Sequence, residues 1–170
     1  MPLRLVKMKR LLIMIAIAVC AHGIHGGQSP SFNVDSLTPK GREAYQKLMV
    51  AEIFRVGGVG VGGETSKEEL ALYDLLTDKQ AIAALRSLVR DGSYEGALYG
   101  LLGLSISNVA EFNRAVDLYK SRQQPPERYM TKKGHVSVQR GCIISGEDWL
   151  KVVTSIQSGH YDKLLRKPGV

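Results

Sequence analysis

Cys142, His135 and His160 are the residues whose types could carry covalent chemistry in this chain. A thiol attacks as its thiolate, and an imidazole within reach both stabilises that anion and relays its proton. Asp148 or Asp162 could orient the imidazole. The spacing does not place these groups together, and Ile143 and Ile144 beside the cysteine favour a small buried apolar role for the thiol. A thiol-dependent enzyme therefore stands as the alternative reading, with Cys142 as nucleophile and His135 or His160 as base.

His22 and His25 raise metal chemistry. Cleavage after Ala21 would leave the amine and imidazole of His22 side by side, with His25 as a third nitrogen; cleavage after His22 would put His25 third. Either set suits Cu(II). The surrounding sequence offers no partner to orient the ligands, so no metal and no cofactor is expected. Gly58-Val59-Gly60-Val61-Gly62-Gly63 formally matches the dinucleotide-binding pattern GxGxxG. That chemistry needs a preceding strand and a βαβ rhythm, whereas the preceding segment reads as helix and no Walker lysine follows. The run reads as a loop whose glycines allow positive φ or close packing. An anion at the helix opening after Ser66 would meet Glu64, Glu68 and Glu69.

Binding chemistry is suggested by Lys120, Arg122, Arg128, Lys132, Lys133 and Arg140, with Glu127 as the nearby counter-charge and Tyr129 and Met130 as contact residues. Such a stretch could meet a protein, anionic lipid headgroups or an acidic cell-envelope polymer, or simply face water.

The chain start sets the context. Arg4, Lys7, Lys9 and Arg10 precede an apolar run from Leu11 to Val19, then small and turn-forming residues. This is the layout of a secretory signal peptide, too short to span a bilayer, and it predicts export to the periplasm or medium. Without those four cations, Lys plus Arg falls from 23 to 19 against 16 acids, so the net charge of +7 becomes +3. A nucleic-acid partner thereby loses its electrostatic support. Cys20 leaves open a lipid anchor and hence a membrane-attached lipoprotein, although Val19 fits the bacterial lipobox poorly. With Cys20 in or beside the leader, Cys142 has no internal disulfide partner.

The expected organisation is a signal peptide over 1–21, a flexible tether over 22–37, one helical domain over 38–160 and a basic tail over 161–170. Helix starts are marked by Thr38-Pro39, Ser66 with Glu69, Asp78, Ser93, Asn108 with Glu111, and Ser145 to Asp148. The first helix is read through Phe54, followed by a glycine loop from Val56 to Gly63. Val136, Val138 and Cys142-Ile143-Ile144 predict one or two short strands or an extended loop before a last helix. The fold class is mainly α, with antiparallel helix pairs.

Ala84-Leu85, Leu88, Asp91, Ala97, Leu101 and Gly103 carry a resemblance. The segment 81–103 resembles one HEAT-type helix pair, with Tyr94-Glu95 where that family's second helix usually has Val-Arg. The resemblance implies helix pairs stacked in HEAT-like fashion, and a scaffold or binding surface rather than a catalyst. The longer pattern, helices followed by Gly141-Cys142-Ile143-Ile144 and a last helix, is similar to small exported bacterial proteins without an assigned activity. The expected function is accordingly a non-enzymatic, exported interaction or scaffold protein, using helix faces or the basic loop 120–140. Oligomeric state is not readable.

Overall fold

A computed structural model describes residues 32–129 and 131–165. Six α-helices carry the fold: α1 (Pro39–Met49), α2 (Lys67–Leu76), α3 (Ala81–Asp91), α4 (Tyr94–Ser107), α5 (Val109–Ser121) and α6 (Trp149–Gln157). Four strands, β1 (Phe54–Val59), β2 (Glu64–Thr65), β3 (His135–Gly141) and β4 (Ile143–Asp148), form one sheet in the order β2-β1-β3-β4. The molecule is mainly α, as its sequence predicts, but its extended part is larger than a segment before the last helix.

Local chemistry starts the helices. Thr38 Oγ1 accepts the Gly41 N–H at 3.1 Å, Ser66 Oγ that of Glu69 at 3.0 Å, and Ser93 Oγ that of Gly96 at 2.9 Å. Asn108 Oδ1 accepts the Glu111 N–H at 3.1 Å. Each satisfies a donor that the first helical turn leaves unpaired. The α4 sequence is apolar nearly all round, and its residues from Glu95 to Leu104 are all buried. Such a helix has to sit in the middle. It packs on α3, α5, α6, β1 and β3. At Gly100 an added Cβ would stand 2.8 Å from the Leu85 carbonyl oxygen, so glycine is what lets α3 and α4 approach closely.

The sheet shows one apolar face to these helices. Phe54 and Val56 of β1 and Val136 and Val138 of β3 are buried, with Phe54 beside Val138 across a parallel pair. Parallel neighbours need a long crossover, here made of β2 and helices α2 to α5. β1 meets β2 antiparallel, and β3 meets β4 antiparallel from His135↔Asp148 to Arg140↔Ile143.

Several expectations are corrected. The first helix stops at Met49, and Phe54 opens a strand; the two glycines inside β1, Gly57 and Gly58, leave it without a clear alternating pattern in the sequence. The glycine run therefore begins inside a strand, at Gly58 and Val59, and turns into β2 as a hairpin, with positive φ at Gly60 and Gly63. No βαβ dinucleotide unit results, because the next strand is antiparallel. Asp78 does not cap a helix at Lys79: α3 begins at Ala81, and the Asp78 carboxylate accepts N–H groups of Gln80 and Thr38, each at 2.9 Å. Ser145 to Glu147 belong to β4, and Asp148 alone caps α6 by accepting the Lys151 N–H at 2.9 Å.

The expected tether is already in place at Phe32, whose ring lies 5.4 Å from that of Tyr45, and Leu37 is buried. At the other end, the first residue of the expected basic tail is anchored: Tyr161 is buried, edge-on to Phe54 with ring centroids 5.0 Å apart. Apolar contact fixes Phe32 and Leu37 in the first case and outweighs a basic neighbourhood at Tyr161 in the second.

Candidate functional site

The chain leaves α5 at Ser121 and returns to the sheet at His135. Between them, Gly134 N–H donates to the Pro125 carbonyl at 2.8 Å, closing a loop at its base. Within it, Arg128 and Thr131 exchange two backbone hydrogen bonds of 2.9 and 3.0 Å, so the chain reverses tightly there. The sequence-predicted arginines are structural. Arg128 pairs with Glu95, whose side chain is fully buried, and Glu95 also accepts the Ser137 N–H at 2.9 Å. That carboxylate raises the pKa of the Arg128 guanidinium above its ordinary value, outweighing the opposing effect of burial. Arg122 donates to the carbonyls of Val89 at 3.1 Å and Gly92 at 2.7 Å, satisfying the end of α3, and stacks 4.8 Å over the Tyr94 ring. Arg140 reaches Glu147 at 3.0 Å and the Tyr161 hydroxyl at 3.3 Å.

The lysines behave differently. Lys120, Lys132 and Lys133 are exposed and form no ion pair among the described residues, and Tyr129 at the loop tip is fully exposed. The loop is thus pinned by its arginines and presents lysines and a phenol ring. Met130 lies outside the described residues.

Beside the loop runs an open polar cavity of about 670 Å³. β3 lines it with His135 and Arg140, β4 with Gly146, Glu147 and Asp148, and α6 with Lys151, Ser155 and, just beyond its end, Ser158. His160 completes the wall, its ring edge-on to Tyr161 at 5.3 Å. Both sequence-predicted histidines and Asp148 therefore share one cavity. Lys151, Ser155 and Ser158 were not picked out from sequence, though their i, i+4, i+7 spacing is a legible polar stripe opposite the apolar face of α6.

Cys142 does not join them. It is exposed at the turn between β3 and β4, contrary to the buried role its apolar neighbours suggest, and Ile143 beside it is exposed too. His135 stands at the opposite end of β3, about 20 Å away at the usual rise of a strand. Asp162 instead accepts the Ser105 hydroxyl at 3.3 Å. Among the described residues no group of three or more His, Cys, Asp or Glu is arranged to hold a metal ion. His22, His25, Cys20 and the leader lie outside the described residues. Among the described residues no helix is long and apolar enough to cross a membrane.

Comparison with protein-family models, with curated proteins and with solved structures finds no match. The reading of the site accordingly rests on its geometry.

Proposed function

We propose that this protein is a non-catalytic binding module that recognises an anionic component of the cell envelope through the loop carrying Lys132 and Lys133. The observation that carries this reading is the division of labour among the cations. Arg122, Arg128 and Arg140 are spent on carbonyls and carboxylates, whereas Lys120, Lys132 and Lys133 have no ion-pair partner among the described residues. An ammonium held on a pinned loop loses little freedom on meeting an anion. Export by the N-terminal leader would bring the loop to headgroups or acidic polymers, and a HEAT-like pairing of α3 with α4 would serve as its rigid platform.

Co-sedimentation with phosphatidylglycerol-containing vesicles tests this. Each surface lysine near an anionic bilayer contributes about 1 kcal/mol, so reversing both in Lys132→Glu/Lys133→Glu should lower retention well over ten-fold, and added salt should release the unaltered protein. Equal retention on purely zwitterionic vesicles, or an unaffected double variant, removes the loop from the reading.

A further inference from the structure

Strand β4 stands last in the sheet order and, among the described residues, pairs with β3 alone. Residues Cys142 to Gly146 are all exposed, so neither face of this part of the strand is covered.

Hydrogen bonds at its neighbours fix which way its backbone groups point. In an antiparallel pair, opposed residues alternate between those that exchange both backbone bonds and those whose N–H and C=O turn away from each other. Ser137 gives its N–H to the Glu95 carboxylate at 2.9 Å, and so does not exchange bonds with Gly146, which stands opposite it. His135 likewise gives its N–H to the Lys132 carbonyl at 3.0 Å rather than to Asp148. Trp149 donates to the Gly134 carbonyl at 3.1 Å, in step with Glu147, Ser145 and Ile143. Val136↔Glu147, Val138↔Ser145 and Arg140↔Ile143 are therefore the bonded pairs. The N–H and C=O groups of Ile144 and Gly146 face outward, and nothing among the described residues bonds them.

Natural sheets shield such an edge with short strands, proline, lysine or a bulge. The opposite edge strand, β2, is two residues long. β4 has six residues, contains neither proline nor lysine, and keeps an unbroken register with β3. From Gly141 to Gly146 the sequence is uncharged, and Ile143 and Ile144 are exposed within it. A bilayer would accept the isoleucines but leave the outward N–H and C=O groups unpaired. Another strand satisfies both.

We infer that β4 pairs antiparallel with β4 of a second copy of this chain, about a two-fold axis at Ile144, so that two four-stranded sheets become one. Outward residues bond only outward residues, so the two strands can slide past each other only in steps of two residues. Charge then selects among the registers. Centred on Ile144, the ladder joins Ile144 to its counterpart and Gly146 to Cys142, and every residue in it is uncharged. Glu147 and Asp148 fall beyond it, past the turn between β3 and β4 of the second copy. Centred on Ser145 or Gly146, a carboxylate would stand against an isoleucine; centred on Glu147, like charges would meet. The contact is separate from the lysine loop, which enters β3 at its other end, and does not rest on it.

The ladder is only a few residues a side, smaller than a standard interface, so association is read by sedimentation equilibrium over about 10 μM to 1 mM. Every chain carries Cys142→Ser, which excludes disulfide-linked dimers. The expected result is a reversible dimer within that range. As it forms, amide exchange should slow on the order of ten-fold or more at Ile144 and Gly146, and less at Ser145 and Glu147, which already bond to β3. Ile144→Lys sets like charges at the axis, and Gly146→Pro removes an outward donor without touching a bond to β3. Each should weaken the dimer by about ten-fold or more. Thermal midpoints verify that both variants keep the fold. Leu150→Lys, at an exposed apolar position of α6, and Lys132→Glu/Lys133→Glu should dimerise as the parent chain does. A chain still monomeric at the top of that range, a dimer in which Ile144 and Gly146 exchange as fast as in the monomer, or a dimer that survives Ile144→Lys leaves this edge to another occupant and overturns the proposal.

Discussion

At the scale of single residues, the basic loop depends on a buried charge. Glu95 sits in the first turn of α4 with no exposed side-chain surface, and its carboxylate serves both the Arg128 guanidinium and the Ser137 N–H. Reading charge along the sequence left the arginines of residues 120–140 facing Glu127 alone. Their actual partners are Glu95, Glu147 and the carbonyls at the end of α3, which lie up to 33 residues away in sequence. Such pairing follows from tertiary contact and has no local signal. Removing one partner of a buried pair leaves the other charge uncompensated, at a cost of 3–5 kcal/mol when both are dry. Arg128 is partly exposed, its side chain retaining 35% of its accessible surface, so water screens part of that loss. Arg128→Ala should therefore destabilise the protein by about 2 kcal/mol in urea unfolding, whereas Lys132→Glu in the same loop should stay within about 0.5 kcal/mol.

At the scale of elements, the helices were legible because their starts are local. Thr38, Ser66, Ser93 and Asn108 each accept a backbone N–H three residues on, as their sequence neighbourhoods indicate. Asp78 shows where local reading ends. Its carboxylate takes the Gln80 N–H, as a cap would, but it also takes the N–H and hydroxyl of Thr38 at 2.9 and 2.7 Å, tying the α2–α3 turn to the start of α1. The Gln80 hydrogen bond, with those from Thr38, holds the Asp78 pKa below its ordinary value against the opposing effect of burial. A carboxyl with a lowered folded-state pKa adds stability that is present above its unfolded value and disappears as pH falls through the folded one. Asp78→Asn should therefore cost about 1 kcal/mol at neutral pH. The difference in thermal midpoint between the two proteins should shrink once the pH drops below about 4. A difference unchanged down to pH 2 would assign the loss to shape rather than charge.

At the scale of the whole molecule, the least legible feature is the closure of the sheet and its seam with the C-terminal segment. β1 lies beside β3 across a long helical crossover, and the glycines in β1 mask its strand pattern. The final turn then delivers Tyr161 onto Phe54, which also meets Tyr99 at 4.8 Å between ring centroids. Tyr99 in turn accepts the Arg55 N–H at 2.7 Å, so one aromatic cluster joins α4, β1 and the segment after α6. Its members are far apart in sequence, and a single tyrosine among lysines and histidine gives no periodic signal. The Tyr161 ring is buried but its hydroxyl reaches Arg140 at 3.3 Å, and these two parts can be separated by substitution. Tyr161→Phe keeps the ring against Phe54 and should change stability by less than about 1 kcal/mol. Tyr161→Ala removes the ring from the seam and should cost about 3 kcal/mol in urea unfolding. It should also raise hydrogen exchange in β1 more than in α5, because Phe54 loses a packing partner while Phe112, Ala115 and Val116 keep their buried positions. Equal exchange in the two elements would mean that the segment after α6 stabilises the molecule globally rather than through its contact with β1.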